Sequence, residues 1–300
     1  MSPATKKRAL IAWVVVCLVW GTTYLAIRIA LETIPPMLMA AIRWIAAGLV
    51  LVGVLAARGE RLPGMRAWPA LALLGILLLG FGNGGVVWAE LTVPSGLTAV
   101  LVATVPFWMV GIDAISRDGE RITARRALGL LVGFAGIVLL VWPDIDLRGG
   151  GRGRGFLVGV ACTQIAGLGW ALGSAYARRR GRAEAAGENV LATAAFEMLF
   201  GGIALLIVGL ALGEQSHLVF TPRSAGALGY LIVFGAITGF AAYAYALKHL
   251  PVATVSLYAY VNPIIAVVLG TLVLREPFSA RMGVAAAVVL AGMALVRENS

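Results

Sequence analysis

Charge is scarce in this chain. Asp, Glu, Lys and Arg together make up 13% of its 300 residues, while hydrophobic residues make up 60%. Soluble globular domains carry roughly 25% charged and roughly 45–50% apolar residues. This composition excludes a chain solvated by water alone, because a soluble fold of this length does not need so much apolar surface. The scarcity of charge therefore indicates a protein whose solvent is a lipid bilayer.

Histidine and cysteine are also scarce, with two residues of each. Cys17 and Cys162 lie inside apolar runs, and neither they nor His217 and His249 form a metal-ligand spacing. There is no Walker loop, and the Gly-x-Gly pattern at 151–155 lies in an Arg-rich loop and not after a strand. We therefore expect neither an enzyme nor a resident cofactor or metal, since the residue types that such sites need do not occur together.

Basic residues outnumber acidic ones by 24 to 14, which gives a formal net charge of +10. They stand in short clusters between apolar runs, and this distribution argues against nucleic acid as a partner. Loops beside anionic lipid explain the clusters better. Most of the clusters lie in loops on the same side of the membrane as the amino terminus, and the segment 149–155 is the exception. The bias of basic residues therefore predicts that both termini are cytoplasmic.

Ten apolar runs are long enough to cross a bilayer, which takes roughly 20 residues. Most prolines fall at or between their ends, where a missing N–H costs least. The first run is too long for the hydrophobic region of a signal peptide, so we interpret it as a spanning helix. The runs predict an all-α integral membrane protein with spans at approximately 9–30, 37–57, 68–90, 94–115, 124–142, 155–178, 188–212, 224–247, 252–273 and 280–297.

Two stretches of the chain repeat the same landmarks. Pro94 and Pro106 are 12 residues apart, and so are Pro251 and Pro263. Such a shared order of breakers and charges at one offset indicates an internal duplication. Three further intervals of 3, 5 and 16 residues recur, from Glu120 to Thr123, Arg125 and Gly136, and from Glu276 to Ser279, Arg281 and Gly292.

The two copies are predicted to have opposite orientations in the membrane. Residues 1–150 hold the first five spans and residues 151–300 the last five, and an odd number of spans makes the second copy enter the membrane the other way up. Inverted repeats are an architecture on which alternating access is commonly built. The substrate site is then expected near the midplane, where the copies meet.

Several motifs resemble those of a known family of transporters. They are Trp-Gly-Thr-Thr-Tyr at 20–24, Pro35-Pro36 before Arg43, Gly-Asn-Gly at 82–84 ahead of Ala89-Glu90, Pro94 to Pro106, and Tyr-Ala-Tyr-Val-Asn-Pro at 258–263. With two EamA-like units of five helices, the chain is similar to the drug/metabolite transporter (DMT) superfamily and, within it, to YedA-like inner-membrane transporters. The resemblance covers nearly the whole chain. It implies a bacterial inner-membrane exporter of amino acids, metabolites or drugs and does not identify the substrate.

Four ionisable side chains stand out within predicted spans: Arg43, Glu90, Glu197 and, closer to a span end, Arg28. A charge at the bilayer centre costs about 2.5 to 3.5 kcal/mol, so each needs a partner or a cavity. Arg43 and Glu90 are predicted toward the same side of the membrane and can form an ion pair. This pair either stabilises the helix packing or acts as a gate or a contact for a charged substrate. Glu197 is expected near the midplane without a basic residue at its depth. It is either a proton-coupling carboxylate or a carboxyl that donates to the backbone.

Polar and aromatic side chains within the spans are candidates for substrate contact, although ordinary packing is the alternative for each. Trp20 and Tyr24 lie one helical turn apart, and Trp170 with Ser174 mirrors them in the second copy. Pro263 removes a backbone hydrogen bond from the ninth span, and Pro106 is expected to kink the fourth in the same way. Aromatic walls with a few polar groups suit amphipathic substrates. The candidates for substrate binding are Trp20, Tyr24, Asn83, Trp170, Ser174, Tyr243, Tyr258 and Asn262.

Three functions remain open from the sequence. The first is a secondary active transporter that exports small amphipathic metabolites, amino acids or drugs, with Glu197, Glu90 and Arg43 as candidates for proton coupling or gating. The second is a facilitator or exchanger without ion coupling, and the third is a membrane sensor or assembly subunit that does not transport. The expected partners are a small-molecule substrate, membrane lipid and, where transport is coupled, protons. Monomer and homodimer both remain open.

Overall fold

The computed structural model describes residues 3–115, 123–141, 151–183, 189–250, 252–255 and 257–296. Within these ranges the chain is helical and contains no strand, so the predicted all-α class is confirmed. Glu120 and Pro251, which are landmarks of the proposed duplication, lie outside the described residues. So does residue 150, where we place the junction of the two copies.

Apart from a short 3-10 helix at Glu214–His217, the helical segments of the described ranges group into ten units, which lie close to the ten apolar runs. Those of the first half are α1 (Pro3–Ala30), α2 (Pro36–Ala57), α3 (Met65–Ala89), α4 (Ser95–Val102 and Val105–Ile115) and α5 (Ala124–Val141). Those of the second half are α6 (Gly151–Ala183), α7 (Val190–Ala211), α8 (Pro222–Tyr230, Leu231–Thr238 and Gly239–His249), α9 (Val252–Val255 and Tyr258–Leu274) and α10 (Ala280–Val296).

Seven of these units, α1 to α4 and α6 to α8, contain helices long and apolar enough to cross a membrane. Shorter apolar helices occupy α5, α9 and α10. A helix of 22 residues such as α7 rises about 33 Å, which matches a hydrocarbon core of about 30 Å. Large apolar side chains such as Leu131 and Leu272 are exposed, as expected where lipid surrounds the bundle. The chain is a multi-pass membrane protein.

Polar contacts join the ends of the helices on both sides of the bundle. We call the side at which α1 begins the first face and the side at which α1 ends the second face. On the first face, the Asn189 amide donates to Glu60 at 3.1 Å and so joins α7 to α2. On the second face, contacts of 2.8 to 2.9 Å join α1 to α8, α2 to α7, α3 to α6 and α4 to α9. They link Glu32 with Arg223, Glu214 with Leu38, Thr92 with Gly155, and Glu276 with Ser95.

The helices pack in pairs that correspond between the two halves. Helix α2 packs on α7, α5 on α10, and α4 on α9. Helix α1 packs on α8 and α9, while its counterpart α6 packs on α3 and α4. Exchanging each helix with its counterpart in the other half (α1 with α6, α2 with α7, and so on) therefore converts each of these pairs into a pair of the same set.

A widened π-helical segment occurs at the same place in both halves. It covers Ile76–Asn83 in α3 and Leu231–Thr238 in α8, at an offset of 155 residues. Segments of this kind leave backbone groups out of the regular ladder and are frequent at functional sites. The two segments bring Gly82, Asn83 and Gly235 to the lining of the central cavity described below.

The sequence predicts a kink at Pro106, and helix α4 breaks directly before this proline. Helix α4 is interrupted at residues 103–104, and Pro106 is the second residue of the segment that follows. Proline is tolerated in a first turn because its missing N–H has no intrahelical partner there. Pro263, in contrast, lies inside a continuous helical segment of α9, as expected.

Two helices that begin at or directly after a proline are capped by carboxylates from distant parts of the chain. Glu214 accepts hydrogen bonds from the backbone N–H groups of Met37 and Leu38 at the start of α2. Glu276 accepts from Ser95 and Gly96 at the start of α4. An acidic group at a helix amino terminus satisfies free N–H groups and complements the helix dipole. Both caps tie one half of the chain to the other.

Close packing between α3 and α6 requires glycine at position 85. A methyl group on Gly85 would lie 2.7 Å from the carbonyl oxygen of Cys162 and 2.9 Å from the Ala166 side chain. We expect Gly85→Ala to destabilise the protein by about 1–3 kcal/mol, since overpacking forces the backbones apart. Thermal unfolding in detergent measures this effect.

Gly229→Ala is the matched control, because Gly229 is a helical glycine with no neighbouring atom within 4 Å. It should leave the melting temperature unchanged or raise it, since Ala favours the helix by up to about 1 kcal/mol. Equal melting temperatures for Gly85→Ala and the wild type would contradict the close packing of α3 on α6.

Candidate functional site

A cavity of about 520 Å³ lies between the two halves of the bundle. Its walls come from α1 to α4 in the first half and from α6 and α8 to α10 in the second. Each side chain that we predicted to bind substrate lies in its lining. These are Trp20, Tyr24, Asn83, Trp170, Ser174, Tyr243, Tyr258 and Asn262. Arg43 lines the cavity as well, whereas Glu90 and Glu197 do not.

Trp20 is at the centre of an aromatic wall. Its ring centroid is 5.6 Å from that of Phe240, 5.2 Å from Tyr243 and 5.0 Å from Tyr258, with edge-to-face or tilted geometries. Its indole N–H donates to the Gly235 carbonyl at 3.2 Å. A single helix of the first half thus presents its aromatic side chains to two helices of the second half, α8 and α9.

Trp170 and Ser174, one turn apart on α6, line the cavity as counterparts of Trp20 and Tyr24. The Trp170 ring lies against Gly82, where a side chain would come within 3.2 Å of it. The absence of a side chain at Gly82 in the π segment of α3 therefore makes room for the indole. Aromatic rings from both copies face the same space.

The two asparagines of the lining make specific hydrogen bonds. The side-chain oxygen Oδ1 of Asn83 accepts a hydrogen bond of 2.9 Å from the indole N–H of Trp44, and this bond joins α3 to α2. In the orientation that satisfies its hydrogen bonds, the Asn262 amide nitrogen donates to the carbonyls of Cys17 and Tyr258 at 3.1 Å. Asn262 thus connects α9 to α1, and each asparagine has a positioning role at the cavity wall.

The ion pair that we predicted between Arg43 and Glu90 is not formed within the described part of the chain. Arg43 is only 3% exposed, and its guanidinium carbon lies 4.3 Å from the centre of the Trp44 ring. The Nε and Nη1 groups of Arg43 have no hydrogen-bond partner among the described residues. A buried guanidinium held on an aromatic face with free N–H groups is a binding group for an anion.

Glu90 ends α3 one turn beyond Val86, on the second-face side of the cavity. It has no exposed surface, and within the described chain neither carboxylate oxygen has a hydrogen-bond partner. A guanidinium N–H of Arg28 donates to the main-chain carbonyl of Glu90. The carboxyl also interacts electrostatically with Tyr24 and Arg43, which line the cavity. Glu90 is therefore coupled to the cavity without being part of its surface.

Glu197 lies farther from this site than the sequence suggested. It is the eighth of the 22 residues of α7, about 10 Å from the start of the helix and about 5 Å from its middle. Its side chain is half-buried and has an interaction with another residue, so it is not the isolated carboxylate that we expected. Helix α7 contributes no residue to the cavity lining.

Three further residues of the site were not among the side chains that we predicted to bind substrate. Trp44 carries the Arg43 guanidinium, Phe240 packs on both Trp20 and Trp44, and Gly235 borders the Arg43 side chain. Trp44 and Phe240 are ordinary members of apolar runs, and their partners are far away in the chain. The one local signal was the proximity of Trp44 to an arginine within a span.

Comparisons with known proteins agree with this architecture. A model of the EamA-like transporter family matches residues 7–142 and 157–297. Over 282 residues the chain is 37% identical to the uncharacterized inner membrane transporter YedA of Escherichia coli, covering 93% of this chain and 87% of that protein. Over 298 residues it is 26% identical to the uncharacterized transporter YvbV of Bacillus subtilis, covering 99% and 93%. A solved crystal structure has the same fold, with a TM-score of 0.63, 23% identity and coverage of 96% and 95%.

Proposed function

Because this chain belongs to the EamA-like transporter family, we propose that it is a secondary active transporter that exports small amphipathic metabolites, amino acids or drugs. The observation that carries the proposal is the cavity between the two halves, with aromatic rings from both on its walls. Enclosed aromatic sites with few polar groups bind organic molecules that have an apolar body and one polar end.

We propose further that the bundle consists of ten spans in two inverted repeats, residues 1–150 and 151–300. Two observations support this duplication: corresponding helices of the two halves pack in corresponding pairs, and the two π segments are separated by the same offset along their whole length. The Thr92 to Gly155 contact supports the inversion, because it puts the start of α6 on the second face, opposite the start of α1. Rocking of one repeat against the other gives alternating access to a site between them.

The location proposed for the protein is the inner membrane of a bacterium, with both termini in the cytoplasm. The relative YedA is an inner membrane transporter, and this supports the location. The bias of basic residues toward the loops of the first face supports the orientation. The first face is then cytoplasmic, and the second face is the outer side.

Reconstitution into vesicles tests the proposed function. Purified protein is supplied with amino acids, purines and cationic dyes, and counterflow is compared with and without a pH gradient. A secondary active transporter accumulates substrate only under the gradient, whereas an uncoupled facilitator or exchanger shows counterflow alone. Absence of transport for every compound would favour the sensor or assembly subunit.

Trp170 provides a prediction for the aromatic wall. We expect Trp170→Ala to reduce transport about fivefold or more, because loss of about 1 kcal/mol of stacking or apolar contact changes an equilibrium by that factor. Initial rates of counterflow at subsaturating substrate measure the effect.

Trp68→Ala is the control for this variant. Trp68 packs against Phe196 and Phe200 in tilted and edge-to-face geometries outside the cavity, so its removal deletes an indole of equal size without altering the lining. Equal transport rates for Trp170→Ala and Trp68→Ala at equal expression would remove Trp170 from the substrate path.

A further inference from the structure

One charged side chain of the cavity has no partner of opposite charge in hydrogen-bond contact. Among the lining residues of the described chain, Arg43 is the one that carries a formal charge. Two of its guanidinium N–H groups are buried without a hydrogen-bond acceptor in that part of the chain. An unpaired charged group in a low-dielectric site is costly, so the site favours a ligand that supplies the missing acceptor.

None of the neighbouring charged groups makes a hydrogen bond to Arg43 Nε or Nη1. Arg28 donates to the Glu90 carbonyl, so a second cation lies beside Glu90 itself. Glu276 is held by the backbone and hydroxyl groups at the start of α4. Glu90 has no surface in the cavity and makes no hydrogen bond to Arg43. A ligand in the cavity therefore meets one positive charge and no exposed carboxylate of the described residues.

The guanidinium is also held in a fixed position. It lies on the Trp44 ring, and Trp44 is itself fixed by its hydrogen bond to Asn83. At Gly235, a side chain would come within 3.2 Å of Arg43 Nη2, so this glycine leaves the space beside the guanidinium open. A preorganised, planar guanidinium is suited to a bidentate bond with a carboxylate.

We propose that the cavity binds organic monoanions, with a carboxylate on Arg43 and a flat apolar body against Trp20, Phe240 and Tyr258. The proposal rests on the proposed function for the role of the cavity and narrows its substrate class. Organic cations are excluded, because they bring a second positive charge close to Arg43 in a poorly screened site. An added ammonium group gives no advantage, since no carboxylate of the described lining can accept it.

Equilibrium binding to the full-length protein in detergent tests the proposal. The probes share one aromatic skeleton: 3-phenylpropionate is an anion, 3-phenyl-1-propanol is neutral, 3-phenylpropylamine is a cation, and phenylalanine is the zwitterion. We expect wild-type protein to bind 3-phenylpropionate at least about 10-fold more tightly than each of the other three. Arg43→Gln should remove this preference while its affinity for the alcohol stays within about threefold of wild type. Arg58→Gln, which changes an exposed arginine at the end of α2 outside the lining, should keep the preference.

The ranking of probes by the wild-type protein decides the proposal even where Arg43→Gln does not fold. Equal or tighter binding of the amine or the alcohol overturns it, and so does failure of all four probes to bind. Tighter binding of phenylalanine also overturns it, in favour of a zwitterionic substrate. Transport of amines but not of 3-phenylpropionate contradicts this inference and leaves the proposed function standing. Arg43-dependent binding of 3-phenylpropionate without transport in vesicles leaves the inference standing and contradicts the proposed function.

Discussion

Replacement of Glu90 by glutamine is expected to abolish accumulation of substrate driven by a pH gradient. Glu90 has no exposed surface and no hydrogen-bond partner for its carboxylate in the described chain, so its charge is costly in this position. Its charge acts on Tyr24 and Arg43 at the cavity, and Arg28 lies beside it. A carboxyl in such a position can bind a proton in one conformation and release it in another, as the surrounding charges move.

The expected loss of gradient-driven accumulation is at least about 10-fold, which corresponds to about 1.4 kcal/mol of interaction with a charged group. Counterflow, which needs no net proton movement, should stay within about twofold of wild type. Both rates are measured in the same vesicle preparation, with and without an imposed gradient. The comparison separates coupling from folding, because a misfolded variant loses both activities.

Glu197→Gln is the control, because it is the same substitution in a membrane-spanning helix that contributes nothing to the cavity. We expect it to retain gradient-driven transport. If Glu90→Gln accumulates substrate normally and Glu197→Gln does not, the coupling site is on α7 and our assignment is wrong. If neither variant loses accumulation, the uncoupled facilitator becomes the better description.

Replacement of Glu276 by glutamine is expected to slow transport about fivefold or more. The Glu276 carboxylate accepts from the Ser95 N–H at 2.9 Å, the Ser95 hydroxyl at 3.0 Å and the Gly96 N–H at 3.3 Å. These bonds join the end of α9 to the start of α4 on the second face, and both helices line the cavity. We therefore expect them to stabilise a state of the transporter that is closed on the second face. If one of two conformations loses about 1 kcal/mol of stability, the equilibrium constant between them changes about fivefold.

Glu214→Gln provides a matched comparison, since Glu214 caps α2 with the same chemistry on the same face. It joins α2 to the end of α7, which is not a wall of the cavity. Both variants should lose about 0.5–2 kcal/mol of stability, the usual value of a helix cap. Thermal unfolding and initial transport rates, measured side by side, distinguish them.

We expect the two melting temperatures to fall together and the transport rate to fall for Glu276→Gln alone. A similar loss of transport in both variants would mean that stability limits the activity. Transport at the wild-type rate in Glu276→Gln would show that the contact between α9 and α4 is a structural cap without a role in closing the cavity.

Much of the candidate site could be predicted from the sequence because helical geometry is local. Trp20 and Tyr24 share one face of α1 by their spacing alone, and Trp170 and Ser174 share one face of α6 for the same reason. Once the two copies were aligned, these faces were expected to meet where the copies join. Each of these side chains lies in the cavity lining.

The positions of the charged side chains could not be predicted from the local sequence, since they depend on contacts between helices that are far apart in the chain. The distance of Glu197 from the cavity follows from the packing of α7 on α2, away from the lining. The Arg43 guanidinium rests on Trp44 instead of pairing with Glu90, because Asn83 of another helix holds the Trp44 ring. Pro106 is the second residue of the second segment of α4, whereas Pro263 is the sixth residue of the second segment of α9. None of these outcomes is visible in the local pattern.

The sequence by itself determined the bilayer as solvent, the helical class, the number of apolar runs and the recurrence of landmarks. These properties follow from composition and from periodicities of a few residues, which act along the chain. The tertiary structure alone decided that Glu197 lies outside the cavity lining, that Glu90 and Arg43 are buried without a hydrogen-bond partner for the Glu90 carboxylate or for Arg43 Nε and Nη1 among the described residues, and that Glu276 ties α9 to α4. These depend on which helix faces meet, and van der Waals contact between residues far apart in the chain determines that.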